Sequence, residues 1–411
     1  MRAEIIATGS ELLTGGVVET NSLFLAGELM DIGIETAFKT VVADNDRDMD
    51  AVFRQALERA EVVIITGGLG PTEDDITRRV LAQVLKKRLL LNEEALRSVQ
   101  AVFASRGREY PGANDRQALI PVGARILPNP VGVAPGFFLI EENKFIAVLP
   151  GVPAEMVAMF RENLRRELEV HCGGSLFIRR KVLHTSGLSE SKVNELLGSL
   201  LKQKQPVVGL SARDTGVDVR VIVKESDRAR ALVSLERIEA EIRKQLADAV
   251  YGVDGQEMEE VVGELLKQRR LTLAVAESCT GGLIGARITN VAGSSDYFDR
   301  GVVVYSNSSK TALIGVPAEL IEQQGAVSRQ VAAAMAAGIR QNAGADLGLS
   351  VTGIAGPGGG SPEKPVGLAY IGLATASGVK VDELRFLGDR NQVRQRTAQA
   401  ALDRVRRHLI A

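Results

Sequence analysis

Short β-branched apolar runs alternate with amphipathic stretches over the first 165 or so residues. The period-2 and period-3.6 patterns predict strands at Glu4–Ala7, Glu35–Val42 and Val62–Thr66, and helices at Asn21–Ile32, Met49–Arg59 and Asp75–Leu85. Strand–helix alternation of this kind implies a parallel sheet covered by helices. A charged helix over Pro153–Val170 closes the unit and Gly173-Gly174-Ser175 breaks it, which sets a first α/β domain at 1–172. The next stretch reads as strand Ile178–His184, helix Ser189–Leu201, strands Val207–Ser211 and Asp218–Val223, and a long helix Ser226–Ala249. That is a small α+β module over 173–253, with no motif that carries chemistry. After a turn-rich joint at Gly252–Gly255, a third α/β pattern fills 254–411. Its strands are Thr272–Ala276, Gly301–Tyr305, Leu347–Thr352 and Gly367–Ala374, and its helices Met258–Arg269, Gly281–Thr289, Pro317–Gln323, Arg329–Asn342 and Gln392–Leu409.

Composition narrows the class. A chain of 411 residues, 45% hydrophobic and 25% charged, suits several ordinary globular cores. Fifty basic against 51 acidic residues leave a net charge of −1, so no broad field draws nucleic acid or an anionic membrane, and phosphate binding must be local. Two cysteines, Cys172 and Cys279, are too few for a disulfide framework, which points to a reducing cytoplasm. The apolar run after Met1 is short and no segment approaches the ~18 apolar residues of a membrane span, so the chain is expected to be neither exported nor anchored.

Three segments of the last domain carry candidate chemistry. Leu271–Gly282 runs from a buried-looking strand through Glu277-Ser278-Cys279-Thr280 into a helix opened by Gly281-Gly282, which leaves backbone N–H groups where an oxyanion can sit. Ser278 there is placed to attack a carbonyl, although Ser278 and Thr280 also read as ordinary helix caps. Tyr305-Ser306-Asn307-Ser308-Ser309-Lys310 puts a phenol, an amide and an ammonium past a strand's carboxyl end, the edge at which open α/β sheets bind ligands. The three histidines, His171, His184 and His408, lie outside these segments, so a Ser–His–Asp triad does not fit and a lysine base does. Thr352-Gly353-Ile354-Ala355-Gly356 offers a hydroxyl and close backbone approach at a strand tip, and Arg390 with Arg394 opens the last helix with two guanidinium groups suited to a phosphate or to surface ion pairs.

In the first domain, Val62–Thr66 runs into Gly67-Gly68-Leu69-Gly70-Pro71-Thr72-Glu73-Asp74-Asp75, offering N–H groups to phosphates and carboxylates to a divalent cation. The same glycines also make a turn and the same acids favour a helix N-terminus. Asn21 opens a helix and Asp44 ends a strand near the same edge.

Ala276–Gly282, Tyr305-Ser306-Asn307 with Lys310, and Val351-Thr352-Gly353-Ile354-Ala355-Gly356-Pro357 together resemble the nicotinamide-nucleotide amidase domain of the CinA family, over about 257–411. The resemblance implies hydrolysis of nicotinamide mononucleotide to nicotinic acid mononucleotide and ammonia, and since amide hydrolysis needs a nucleophile, a proton donor and N–H groups for the oxyanion, no metal or other cofactor is expected. It makes Ser278 the nucleophile, Lys310 its activating base, Tyr305 a proton relay and Thr352 an oxyanion or substrate hydroxyl. Glu277, Thr280, Gly281, Gly282, Asn307, Gly353, Gly356 and Arg390 are then expected to bind substrate. Gly67-Gly68-Leu69-Gly70 with Asp75, and Leu149-Pro150-Gly151-Val152-Pro153, resemble the molybdopterin-binding fold of the MoaB and MogA proteins. In full-length CinA proteins this implies a divalent-metal-dependent ADP-ribose pyrophosphatase, with Asn21, Gly67, Gly68 and Gly70 on the substrate and Asp75, Asp74 and Asp44 as candidate metal ligands. A pterin- or nucleotide-binding module without catalysis, in a protein acting as a scaffold, is the alternative. The middle module resembles the family's KH-like domain, but without a basic surface it implies no nucleic acid partner. The expected partners are small nucleotides and a second copy of the chain in a symmetric homodimer.

Overall fold

The computed structural model describes residues 1–172 and 177–411. The predicted break at Gly173–Ser175 therefore lies outside the described residues. The chain folds as two compact units, Met1–Arg179 with Val223–Ser234, and Arg180–Ile222 with Leu235–Ala411.

In the first unit the strands are β1 (Arg2–Thr8), β2 (Glu35–Val42), β3 (Val62–Thr66), β4 (Leu89–Leu91), β5 (Leu119–Pro121), β6 (Arg125–Leu127), β7 (Gly136–Glu141) and β8 (Lys144–Leu149). Six form one sheet in the order β2-β1-β3-β8-β7-β6, and β4 pairs with β5. The pairs β1–β2, β1–β3 and β3–β8 are parallel, whereas β7 runs antiparallel to β8 and to β6. The sheet is thus mixed rather than wholly parallel, because the short Glu142-Asn143 turn joins β7 to β8 as a hairpin and leaves no room for a crossover helix. Alternate residues of β3 enter opposite cores: Val63 and Ile65 pack with Phe53 and Phe137, Val62 and Ile64 with Leu25 and Phe160. Helices therefore cover both faces, and all five β3 residues are buried.

The second unit contains two sheets. β9 (Phe177–Thr185), β10 (Val207–Arg213), β11 (Gly216–Glu225) and β12 (Val250–Val253) stand in the order β10-β11-β9-β12. The short β12 had no clear alternation to announce it. β13 (Leu273–Glu277), β14 (Phe298–Val303), β15 (Leu347–Gly353), β16 (Leu368–Thr375) and β17 (Gly378–Arg385) stand in the order β14-β13-β15-β16-β17. β14 and β15 flank β13 in parallel, while β16 and β17 continue antiparallel. The chain crosses from β13 to one side and then returns to the other, which opens a crevice at the carboxyl end of β13. Leu273 and Val275 of β13 enter the core containing Ile284 and Ile288, whereas Ala274 and Ala276 enter the one containing Ile314 and Met335. This alternation decides where the next two side chains point.

Candidate functional site

Glu277 continues the Leu273–Val275 face, toward the helix Leu283–Thr289. Its buried carboxylate accepts the backbone N–H of Gly282 at 3.0 Å, Ile284 at 3.0 Å and Gly285 at 2.8 Å. The helix N-terminus expected to hold an anion is thus already filled by the chain's own carboxylate, and Glu277 is a clamp on the turn rather than a substrate ligand. Ser278 emerges on the opposite face. Its N–H bonds Val351 O at 3.0 Å, which fixes it between β13 and β15. Gly281 (φ 62°) and Gly282 (φ 92°) then carry the turn through left-handed conformations that other residues resist. Among the described residues, the N–H groups of Cys279 and Thr280 donate to no other residue, so the donors free for an oxyanion lie directly after Ser278. The Thr280 hydroxyl is buried without a partner, and burial pushes the Cys279 thiol up to about 12, leaving it an inert neutral group.

Lys310 arrives from a helix that sequence periodicity did not announce, Asn307–Ile314, capped by Ser306 Oγ on the Ser309 N–H. Ile314 of this helix enters the Ala274–Ala276 core, so the helix lies on the Ser278 side of the sheet. Lys310 is 1% exposed, with Nζ 3.2 Å from Ser278 Oγ, 2.9 Å from Val304 O and 3.4 Å from Tyr305 O. No carboxylate faces it among the described ion pairs, and burial lowers its pKa from the ordinary 10.5 because desolvation disfavours the charged amine.

The remaining candidates separate into groups. Tyr305 stands two residues past β14 and is exposed; its phenol oxygen accepts from Arg390 Nη2 at 2.8 Å and bonds neither Ser278 nor Lys310. Arg390 Nη1 also donates to Gly356 O at 2.7 Å, and Arg394 Nη2 donates to Thr280 O at 2.8 Å. Both guanidinium groups are thus held by neutral oxygens, and neither forms an ion pair among the described residues. Thr352 is fully buried, its hydroxyl donating to Ala326 O at 2.8 Å. A Cβ on Gly353 would stand 2.7 Å from Leu368 O, so that glycine serves the β15–β16 pairing; Asn307 is exposed at its helix start. Arg394 is the residue that sequence reasoning placed beside Arg390 without assigning it to the site.

The first unit has a corresponding edge. A cavity of about 350 Å³ is lined by Leu69, Gly70, Gln117, Gly132, Gly151 and Glu155, among others, at the ends of β3 and β8. Gly67 (φ 107°) and Gly68 (φ 64°) have no space for a Cβ, which would stand 2.4 Å from Thr8 O and 2.1 Å from Thr77 Oγ1. Asn21 Nδ2 donates to Gly151 O at 2.7 Å, leaving its Oδ1 buried and unpartnered. Arg78, which sequence reasoning missed, is 4% exposed and donates to Leu69 O and Gly70 O at 2.7 and 2.9 Å. Its guanidinium holds the glycine turn, and burial lowers its pKa to about 10. The three acids do not converge: Asp75 accepts from Thr72 N–H and Oγ1 at 2.9 and 2.5 Å, Asp44 accepts from the Ser10 N–H at 2.9 Å, and Asp74 is exposed. Among the described residues no three His, Cys, Asp or Glu side chains gather as a metal site. These carboxylates do not fit a resident metal held by protein alone.

Residues 255–409 match the family described as the CinA C-terminal domain, residues 4–170 the probable molybdopterin binding domain, and residues 180–252 the damage-inducible protein CinA KH domain. A putative competence-damage inducible protein of Caldicellulosiruptor bescii is 44% identical over 411 residues, the whole of both chains. The chain belongs to the CinA family. A CinA-like protein of Dictyoglomus thermophilum is likewise 44% identical over the whole of both chains. A competence/damage inducible protein of known structure from Agrobacterium tumefaciens is 40% identical, covering 38% of this chain and 94% of its own, with a TM-score of 0.37. This CinA-family chain thus has a first domain of the molybdopterin-binding type, a KH module and the family's C-terminal domain. No helix among the described residues is long and apolar enough to cross a membrane.

Proposed function

We propose that the C-terminal domain is an amidase that hydrolyses nicotinamide mononucleotide to nicotinic acid mononucleotide and ammonia. The observation that carries this reading is the buried pair of Ser278 and Lys310, 3.2 Å apart, with an ammonium whose charge burial disfavours. Neutral Lys310 takes the Ser278 proton as Oγ bonds the carboxamide carbon, and the N–H groups of Cys279 and Thr280 receive the oxyanion. Lys310 returns the proton to the departing nitrogen, so ammonia leaves and a Ser278 ester remains. Water, giving one proton to Lys310, then attacks the ester carbon; Lys310 hands that proton to the departing Ser278 Oγ, which restores the hydroxyl and the neutral amine, and the acid released ionises to the carboxylate. The un-neutralised guanidinium groups of Arg390 and Arg394 suit the phosphate of the substrate. The test is product analysis with the full chain: nicotinamide mononucleotide should be consumed with equal ammonia, and nicotinamide riboside, lacking the phosphate, at least ~10-fold less efficiently. Equal use of both removes the phosphate role, and no reaction with either removes the amidase.

For the first domain we propose recognition of a nucleotide pyrophosphate by the Gly67–Gly70 turn, with ADP-ribose hydrolysis as its activity. The separated acids favour a second reading, binding without catalysis. Release of AMP from ADP-ribose on adding magnesium or manganese supports hydrolysis. Saturable binding of ADP-ribose with no AMP under either metal supports the second reading.

A further inference from the structure

The middle module showed no chemistry in its sequence, yet one of its hairpins reaches the C-terminal site indirectly. β10 and β11 are joined by Asp214-Thr215. Asp214 Oδ1 accepts from Gln392 Nε2 at 3.2 Å, and Asp214 O accepts from Arg396 Nε at 2.9 Å. Gln392 is also half of the cap that starts the last helix, Arg390–Ile410: its Oε1 accepts the Asp389 N–H at 3.1 Å, and its own N–H donates to Asp389 Oδ1 at 2.9 Å. Arg396 reaches back to Leu387 O, in the loop before the helix.

Helical geometry makes this consequential. Gln392 and Arg396 are four residues apart and share one face; Arg390 and Arg394 share the opposite face, two residues and ~200° away. The hairpin grips one side of the first turn, and the other side holds Tyr305 OH, Gly356 O and Thr280 O. The hairpin itself is braced. Arg213 pairs with Glu257, the N-cap of the helix Met258–Arg269, at 3.0 Å; His184 bonds Asp218 at 2.7 Å beneath it; and Gly216 lies so close to Thr185 that a Cβ would stand 2.0 Å from its carbonyl oxygen.

We propose that Asp214 is a positioning residue of the C-terminal site, through which the β10–β11 hairpin sets the first turn of the last helix and with it the two phosphate-facing arginines. The inference rests on the amidase reading for its kinetic consequence, but not for its structural one. Asp214 is exposed and touches no substrate, so its loss leaves the fold and the Ser278–Lys310 pair intact.

The test uses the full chain with Asp214→Ala and Asp214→Asn, the latter retaining the acceptor oxygen. Two quantities are read: KM and kcat for nicotinamide mononucleotide, and amide hydrogen exchange in 389–396. Asp214→Ala, which removes the bond from Gln392 and keeps the backbone acceptor of Arg396, should raise KM about three- to tenfold, the worth of one exposed hydrogen bond, with kcat within about twofold and faster exchange confined to that turn. Asp214→Asn should stay near wild type in both. An unchanged KM and unchanged exchange in Asp214→Ala overturn the proposal, as does an equal loss in Asp214→Asn. If wild type does not deamidate this substrate, the amidase reading fails by itself and exchange alone decides: no acceleration in 389–396 overturns the positioning role.

Discussion

Lys310→Ala removes the amine 3.2 Å from Ser278 Oγ while leaving the hydroxyl and the free N–H groups after it in place. The loss to expect follows from the amine's state. With the ordinary pKa of 10.5, about one lysine in a thousand is neutral at pH 7.5, and each unit by which burial lowers the value raises that fraction tenfold. The amine is therefore partly prepared as a base before substrate arrives, and a positioned base contributes roughly 10²- to 10⁴-fold to rate, about 3–5 kcal/mol of barrier. The sign of the pH dependence is fixed by the same argument. Only the neutral amine accepts a proton, so kcat of the wild type should rise with pH and level off at a midpoint below 10.5, while the residual rate of Lys310→Ala should lack that rise. The assay is ammonia release from nicotinamide mononucleotide between pH 6 and 10, with thermal melting to confirm that the variant is folded. A folded Lys310→Ala protein within about threefold of wild-type kcat, or one that keeps the same pH profile, refutes the role of Lys310.

Three further outcomes follow. Glu277→Gln places an amide where three N–H groups need an acceptor, so the C-terminal domain should lose about 1–3 kcal/mol and melt several degrees lower; an unchanged melting curve contradicts the clamp. Gly68→Ala puts a Cβ 2.1 Å from Thr77 Oγ1 at a φ of 64°, which should cost the first unit at least ~1–2 kcal/mol and weaken ADP-ribose binding, read by melting and calorimetry, while ammonia release is unaffected. Excess chelator should leave ammonia release within about twofold, since no step of the serine mechanism uses a metal; a larger loss contradicts that mechanism.

Much of this was legible in the residues. Val62–Thr66 and Glu35–Val42 stand where β-branched runs predicted strands, and Met258–Arg269 matches its helix to the residue. Ser278 and Lys310 were singled out as chemistry-bearing types past strand ends, and the fold brings them together. Glu277 was expected to bind substrate with the rest of its motif, whereas its carboxylate faces away from Ser278 onto three N–H groups; successive strand residues face opposite sides, and the apolar alternation through Leu273–Ala276 already carried that signal. The helix Asn307–Ile314 was hidden because Ser306-Asn307-Ser308-Ser309 reads as a turn until Ser306 is seen to cap it. Asp44, Asp74 and Asp75 looked like ligands because acids near a glycine turn suit a cation. Asp75 is instead taken up by Thr72 three residues before it, and Asp44 by the N–H of Ser10, a partner 34 residues away that only the fold brings near. Arg78 gave no signal at all, because its carbonyl acceptors lie in the turn it supports.

The most direct test of the central claim is ammonia release from nicotinamide mononucleotide by the purified full chain and by Ser278→Ala, side by side in chelator. The wild type should release ammonia steadily and the variant at least ~10³-fold more slowly. Comparable release by both proteins would return Ser278 to the role of a turn residue.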